Sequence, residues 1–129
     1  KLGILICRAS SPHHSLKGMQ HMFAAVIKES DHLRLMPSVA LQQNFDSTLL
    51  AGIWSKWLAS VAGISQVQVE QGLDLIELRF YFANEIFYGH YEHYTDSFWL
   101  DSDSSPAVMI LSDLAQALQK HIEQTIEFI

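Results

Sequence analysis

A chain of 129 residues fits the common size of one domain, roughly 100 to 150 residues, and leaves no room for a second core. With 49% hydrophobic and 17% charged residues it holds enough apolar surface to offset the backbone entropy lost on folding, which excludes long disorder. The formal net charge of −6 is unevenly spread, six Lys/Arg against three Asp/Glu (+3) in residues 1–69 and two against eleven (−9) in residues 70–129, and that excess argues against a nucleic-acid binder.

Residues 1–7 are apolar at Leu2, Ile4 and Ile6 and also at Leu5 and Cys7, the pattern of a strand buried on both faces and placed centrally in a sheet. Ser11 and Pro12 supply an N-cap and a first-turn proline for a helix through Leu16, Met19, Phe23 and Val26. Residues 32–36 alternate at Leu33 and Leu35 and stop at Pro37, which predicts a second strand. The intervening helix is long enough for a right-handed parallel crossover, so the opening reads as β-α-β.

Asp46 is placed to cap the next helix, along which Leu50, Ile53, Trp54, Trp57, Leu58 and Val61 recur at helical spacing before Gly63 ends it. The period then changes to two. Val67 and Val69 alternate with Gln66, Gln68 and Glu70, a turn follows at Gln71 and Gly72, and Ile76, Leu78, Phe80 and Phe82 alternate with Glu77, Arg79 and Tyr81. A two-residue loop at Asn84 and Glu85 sets Phe82 against Phe87 and Phe80 against Gly89 on the core face. It sets Tyr81 against Tyr88, Arg79 against His90 and Glu77 against Glu92 on the other, and a turn at Asp96 and Ser97 brings Trp99 beside Tyr94. Residues 100–106 read as a polar loop, residues 107–111 as a short strand, and Ser112 as the cap of a last helix carrying Leu114, Leu118, Ile122 and Ile126. The expected fold is α+β over residues 1–129 as a single domain: three helices packed on a mostly antiparallel sheet, with an N-terminal β-α-β start.

No apolar run approaches the roughly 20 residues that span a bilayer, and one cysteine forms no internal disulfide, so the expectation is a cytoplasmic protein without a membrane partner. The sequence starts at Lys1 rather than Met, which leaves a removed leader or a longer parent chain open. Seven histidines raise the question of a metal. On a helix His14 and His21 stand about 10 Å apart, too far for one ion whose ligands sit within about 2.1 Å, and His90 and His93 point to opposite faces of a strand. No metal and no cofactor are expected. Cys7 with Arg8 resembles a phosphatase loop only superficially, since the position six residues after the cysteine is His13 rather than arginine. Glycine-rich phosphate loops and a Gly-x-Ser-x-Gly elbow are absent from the sequence, and no catalytic residue is assigned.

The outer face of the hairpin is the most informative surface, because tyrosine, tryptophan and arginine are the types enriched where proteins dock. Either a helix covers it and its tyrosines are core, or it is exposed. In the second case Tyr94 and Trp99 act as anchors, with His90, Glu92, Asp96, Asp101 and Asp103 around them, and the expected partner is a basic protein, as for a toxin-neutralising immunity protein or a secretion chaperone. The alternative is a small hydrolase or anion-ligand-binding domain using Cys7, Ser10, Ser11, His13 and His14 at the start of the first helix. A homodimer through the aromatic hairpin is a third possibility.

Overall fold

In a computed structural model, residues 22–43 and 47–127 are described. The predicted strand of residues 1–7, the loop Cys7 to His14 and the Asp46 cap lie outside them. Among the described residues six strands, β1 (Phe23–Lys28), β2 (Leu33–Pro37), β3 (Ile64–Gln71), β4 (Leu75–Phe82), β5 (Glu85–Glu92) and β6 (Ser97–Asp101), form one sheet in the order β1-β2-β6-β5-β4-β3. Every pairing between these six strands is antiparallel. Four helices accompany the sheet among the described residues: α1 (Val39–Gln43), α2 (Ser47–Ala59), α3 (Ser105–Met109) and α4 (Leu111–Glu127). The class is α+β.

The first correction concerns Phe23 and Val26, read above as one stripe of a helix. They lie on a strand, and a bulge between Phe23 and Ala25 inserts one residue, so two side chains three apart reach the same face. A bulged strand thus imitates helical spacing. The expected second strand is present as β2, but its neighbours β1 and β6 both run antiparallel to it. The helix α1 was not anticipated; Ser38 opens it, its Oγ accepting from Leu41 N–H at 3.0 Å.

The Trp54 and Trp57 stripe of α2 fills the centre of the core. Phe23 meets Trp54 at 6.3 Å and Trp57 at 4.9 Å between ring centroids, and Trp54 meets Phe98 at 5.2 Å, all edge to face. Fully burying a side chain such as Phe23 or Phe98 is worth about 1.5–3 kcal/mol. Gly63 follows the helix at φ +91°, a conformation that favours glycine. Leu111, Leu114, Leu118 and Ile122 of α4 join the same core.

The β4–β5 loop is Ala83-Asn84 rather than Asn84-Glu85, both residues with positive φ (53° and 64°), as a two-residue I′ turn demands. The register therefore moves by two residues. Phe80 opposes Phe87, Arg79 opposes Tyr88 and Glu77 opposes His90. A shift of two preserves which face each side chain occupies, so Ile76, Leu78 and Phe80 remain in the core as expected. The β5–β6 turn spans residues 93–96, which sets Trp99 opposite His90 instead of beside Tyr94. Residues 107–111 form no strand: they run from α3 through the Ile110 cap into α4. Ser104 is the N-cap of α3, its Oγ accepting from Ala107 N–H at 3.1 Å with Pro106 in the first turn, and Ser112 lies inside α4.

Candidate functional site

The buried residues of the strands, Leu33, Leu35, Phe98, Leu100, Phe87, Tyr91, Leu78 and Phe80, share one face with α2 and α4 in a single core. The alternate residues point the other way, and no helix among the described residues lies over them. Pairing places one continuous row on that open face: Ile27, Arg34, Trp99, His90, Glu77 and Glu70, one from each of the six strands. A second row carries Asp101, Tyr88, Arg79 and Gln68.

His90 is the centre of this face. Its ring stacks on Trp99 with centroids 5.0 Å apart and planes inclined by 21°. One ring nitrogen, Nε2, lies 2.8 Å from Asp101 Oδ1, and the other, Nδ1, lies 3.4 Å from Glu77 Oε2. The carboxylates occupy opposite edges of the imidazole, so they cannot close on one metal ion with it. No group of three His, Cys, Asp or Glu among the described residues is placed to hold one.

Beside Trp99 the face sinks into an open groove of about 380 Å³, bordered by Asp31, His32, Arg34, Ser97, Asp101 and Ser102. The β1–β2 loop builds one wall: His32 Nδ1 lies 3.0 Å from Asp31 Oδ1 and its Nε2 3.4 Å from Glu29 Oε1. The hydrogen bond to His32 holds the Asp31 carboxyl below its ordinary range. Across the groove, Ser102 Oγ donates to the Ile86 carbonyl at 2.7 Å and so fixes the end of β6.

The residues singled out for partner binding divide into two groups. Trp99, His90 and Asp101 come together at the centre of the open face. Tyr94 and Asp96 belong to the β5–β6 turn, and Glu92, the last residue of β5, largely serves it. Glu92 accepts from Tyr94 N–H at 3.0 Å and from Thr95 Oγ1 at 2.6 Å, and Asp96 accepts from the Tyr91 hydroxyl at 3.1 Å. Burial, and then the Asp96 carboxylate, raise the Tyr91 phenol and keep it protonated. Tyr94 itself is 78% exposed, its hydroxyl 3.3 Å from Asp74 Oδ2. Asp103 is exposed in the bend that follows β6. Glu92 pairs with Leu75, so the Glu77–Glu92 opposition does not form. Arg34, His32 and Asp31 were not anticipated, because nothing in the local pattern announces that β2 lies beside β6.

A Ser-His pair away from this face lacks the arrangement of a nucleophile. Ser60 Oγ lies 3.1 Å from His121 Nε2, but the hydroxyl donates to the Trp57 carbonyl at 2.6 Å. With its one proton committed there, Ser60 accepts from the imidazole, the reverse of an activated serine. The pair clasps the end of α2 to α4.

Fold and site together define an α+β protein with helices on one face of an antiparallel sheet and an aromatic, acidic row on the other. Residues 26–119 match the family model described as a protein of unknown function (DUF3630), and the chain belongs to that family. No curated protein and no solved structure matches the chain. No helix among the described residues is long and apolar enough to cross a membrane.

Proposed function

We propose that this chain is a non-enzymatic protein-binding module that docks a basic protein partner on the open face of its sheet. The observation that carries the reading is the stacked Trp99–His90 pair, bordered by Asp101 and Glu77 and left without a helix over it among the described residues. An aromatic platform rimmed by carboxylates suits a partner that presents lysine or arginine around an apolar contact. The charge supports the same chemistry, since residues 70–129 carry −9 and their field speeds encounter with a basic surface. Trp99 supplies the central anchor and Tyr94 a second at the edge, while Asp101 and Asp103 pair with the partner's cations. A toxin-neutralising immunity protein or a secretion chaperone in the cytoplasm works in this way.

The test is capture from native lysate with the wild-type chain and with Trp99→Ala in parallel, washed at low and then high salt. A stoichiometric basic protein that wild type retains, salt releases and Trp99→Ala fails to hold is the expected result. Identical recoveries from the two baits, or a captured protein that is acidic, overturn the reading.

A further inference from the structure

Charge divides this chain at the point where its described residues begin. Residues 1–21 carry Lys1, Arg8 and Lys17 and no Asp or Glu (+3), whereas residues 22–129 carry five Lys/Arg against fourteen Asp/Glu (−9). The same 21 residues hold the apolar side chains of Leu2, Ile4, Leu5 and Ile6. A segment of one sign joined covalently to a body of the other meets it at an effective concentration on the order of millimolar, so contacts too weak to hold a free peptide suffice.

The open face of the sheet offers the complement of that segment. Asp31, Glu77 and Asp101 border the Trp99–His90 pair and keep their carboxylates accessible to solvent. Both cations of the face are already engaged, Arg79 by Gln68 at 2.7 Å and Arg34 beside Glu29 at 3.9 Å. Apolar surface is exposed on the same side at Ile27 and Met36. The point of attachment also fits. Met22 is buried and its carbonyl accepts from Ser38 N–H at 3.0 Å, which fixes the entry into β1 beside the end of β2. Phe23 opposes Pro37 and Trp99 opposes Arg34, so Trp99 lies three residues along and two strands across from that entry, about 14 Å away. At the full reach of a chain, Lys17, five residues before Met22, extends about 17 Å, and Arg8, fourteen residues before it, about 48 Å. Both reach the platform.

We infer that residues 1–21 dock on the open face of their own chain, Arg8 and Lys17 against the carboxylates of Asp31, Glu77 and Asp101, and the apolar residues of the segment on Trp99 and Met36. A basic protein that docks there displaces the segment, which makes it a built-in competitor for the same carboxylates. That consequence rests on the docking proposed above. The contact itself belongs to the isolated chain and is tested without a partner, so the two fail separately.

Cys7 is the single cysteine of the chain, so a nitroxide attached there reports where the segment rests in paramagnetic relaxation measurements on the full chain. Expected at low salt is strong broadening of the Trp99 indole N–H and of the Arg34 and His90 amides, with little at Glu123 on α4. In about 0.5 M salt the broadening is largely lost. Arg8→Glu with Lys17→Glu reverses the charge of the segment and is expected to lower it about threefold or more at low salt. Asp101→Asn with Glu77→Gln removes charge from the face and lowers it likewise; should that variant not fold, the segment variant decides. Broadening confined to β1 places the segment along the sheet edge and overturns the inference. So does broadening spread evenly over the protein, broadening that the segment variant leaves unchanged, or broadening that arises in unlabelled chain mixed with labelled chain, which places the segment on a second copy.

Discussion

His90 and Trp99 stand opposite one another on β5 and β6, the imidazole lying on the indole at 5.0 Å between centroids. Asp101 Oδ1 lies 2.8 Å from His90 Nε2 and holds the ring against the indole, and Glu77 Oε2 stands 3.4 Å from Nδ1 at its other edge. A rigid aromatic surface of this kind loses little entropy on binding. Trp99→Ala is expected to cost the fold no more than about 1 kcal/mol, the range of a cross-strand pair on a half-exposed face. Binding of the proposed basic partner should fall about thirtyfold or more, as for a central anchor. Urea denaturation and partner titration measure the two separately, and a stability loss that accounts for the whole binding loss would remove the anchor role.

Asp101 and Asp103 extend the negative field toward the end of β6, and replacing both with asparagine preserves shape while removing two charges. Association with the basic partner should slow by roughly tenfold at low salt, with a shallower salt dependence. Asp101 also holds His90, so Asp103→Asn alone is the cleaner probe of steering, and it should change association far more than dissociation. Equal association rates for wild type and the double variant would sink the acidic-docking mechanism.

The local patterns revealed elements more faithfully than partners. The Trp54–Trp57 stripe and the alternation from Ile76 to Phe80 were readable because helix and strand periods differ and nothing interrupts them. Phe23 and Val26 misled, since the bulge at Ala24 and Ala25 gives a strand the spacing of a helix. Ser104 and Pro106 carry an N-cap signature, which competes with the apolar run after it that resembles a short strand. The faces of Ile76 to Phe82 and of Phe87 to Tyr91 were legible even though the register moved, because a slip of two leaves faces unchanged. The groove beside Trp99 was not legible. It depends on β2 lying next to β6, a pairing between residues more than sixty apart in the chain that no local pattern encodes.

Gly89 sits beneath Trp54. A Cβ there would lie 3.2 Å from Trp54 Cη2 and 3.1 Å from Leu100 Cδ2, and both of those residues are fully buried. The indole is itself wedged against Phe23 and Phe98, so it has nowhere to yield. Gly89→Ala should therefore destabilise the fold by about 1–3 kcal/mol, the usual cost of overpacking a tight core, despite alanine's better strand propensity. A denaturation midpoint at or above that of wild type would mean that the core has slack at this position.

His121 makes stability depend on pH in a definite direction. Burial pushes its imidazole below the ordinary value of 6.5, so the unfolded chain takes up the proton before the folded one does. This contribution is fully present above about pH 6.5 and is lost as pH falls from there toward the folded-state value. The informative quantity is the difference between wild type and His121→Asn in urea midpoints from about pH 7.5 to 5.5. Wild type should lose more stability on acidification than the variant. Parallel curves would show that the Ser60–His121 clasp does not sense the proton.

The Ala83-Asn84 turn holds an alanine at φ 53°, a left-handed conformation that costs a residue with a Cβ about 1–2 kcal/mol relative to its preferred regions. Nothing compensates it in the sequence: both turn residues are exposed, and the hairpin is fixed instead by the flanking register, where Phe80 stacks against Phe87 at 5.8 Å. The same weakness explains why Asn84-Glu85 looked like the turn, since Ala-Asn is an unusual pair for a I′ loop. Replacing the two with Asn-Gly, the preferred I′ pair, should raise stability by about 1 kcal/mol without altering the register. The check is a denaturation midpoint together with cross-strand contacts between Phe80 and Phe87 by magnetic resonance. A gain in stability accompanied by loss of those contacts would mean that the hairpin had slipped into another register, and that core pairing rather than turn strain sets the native one.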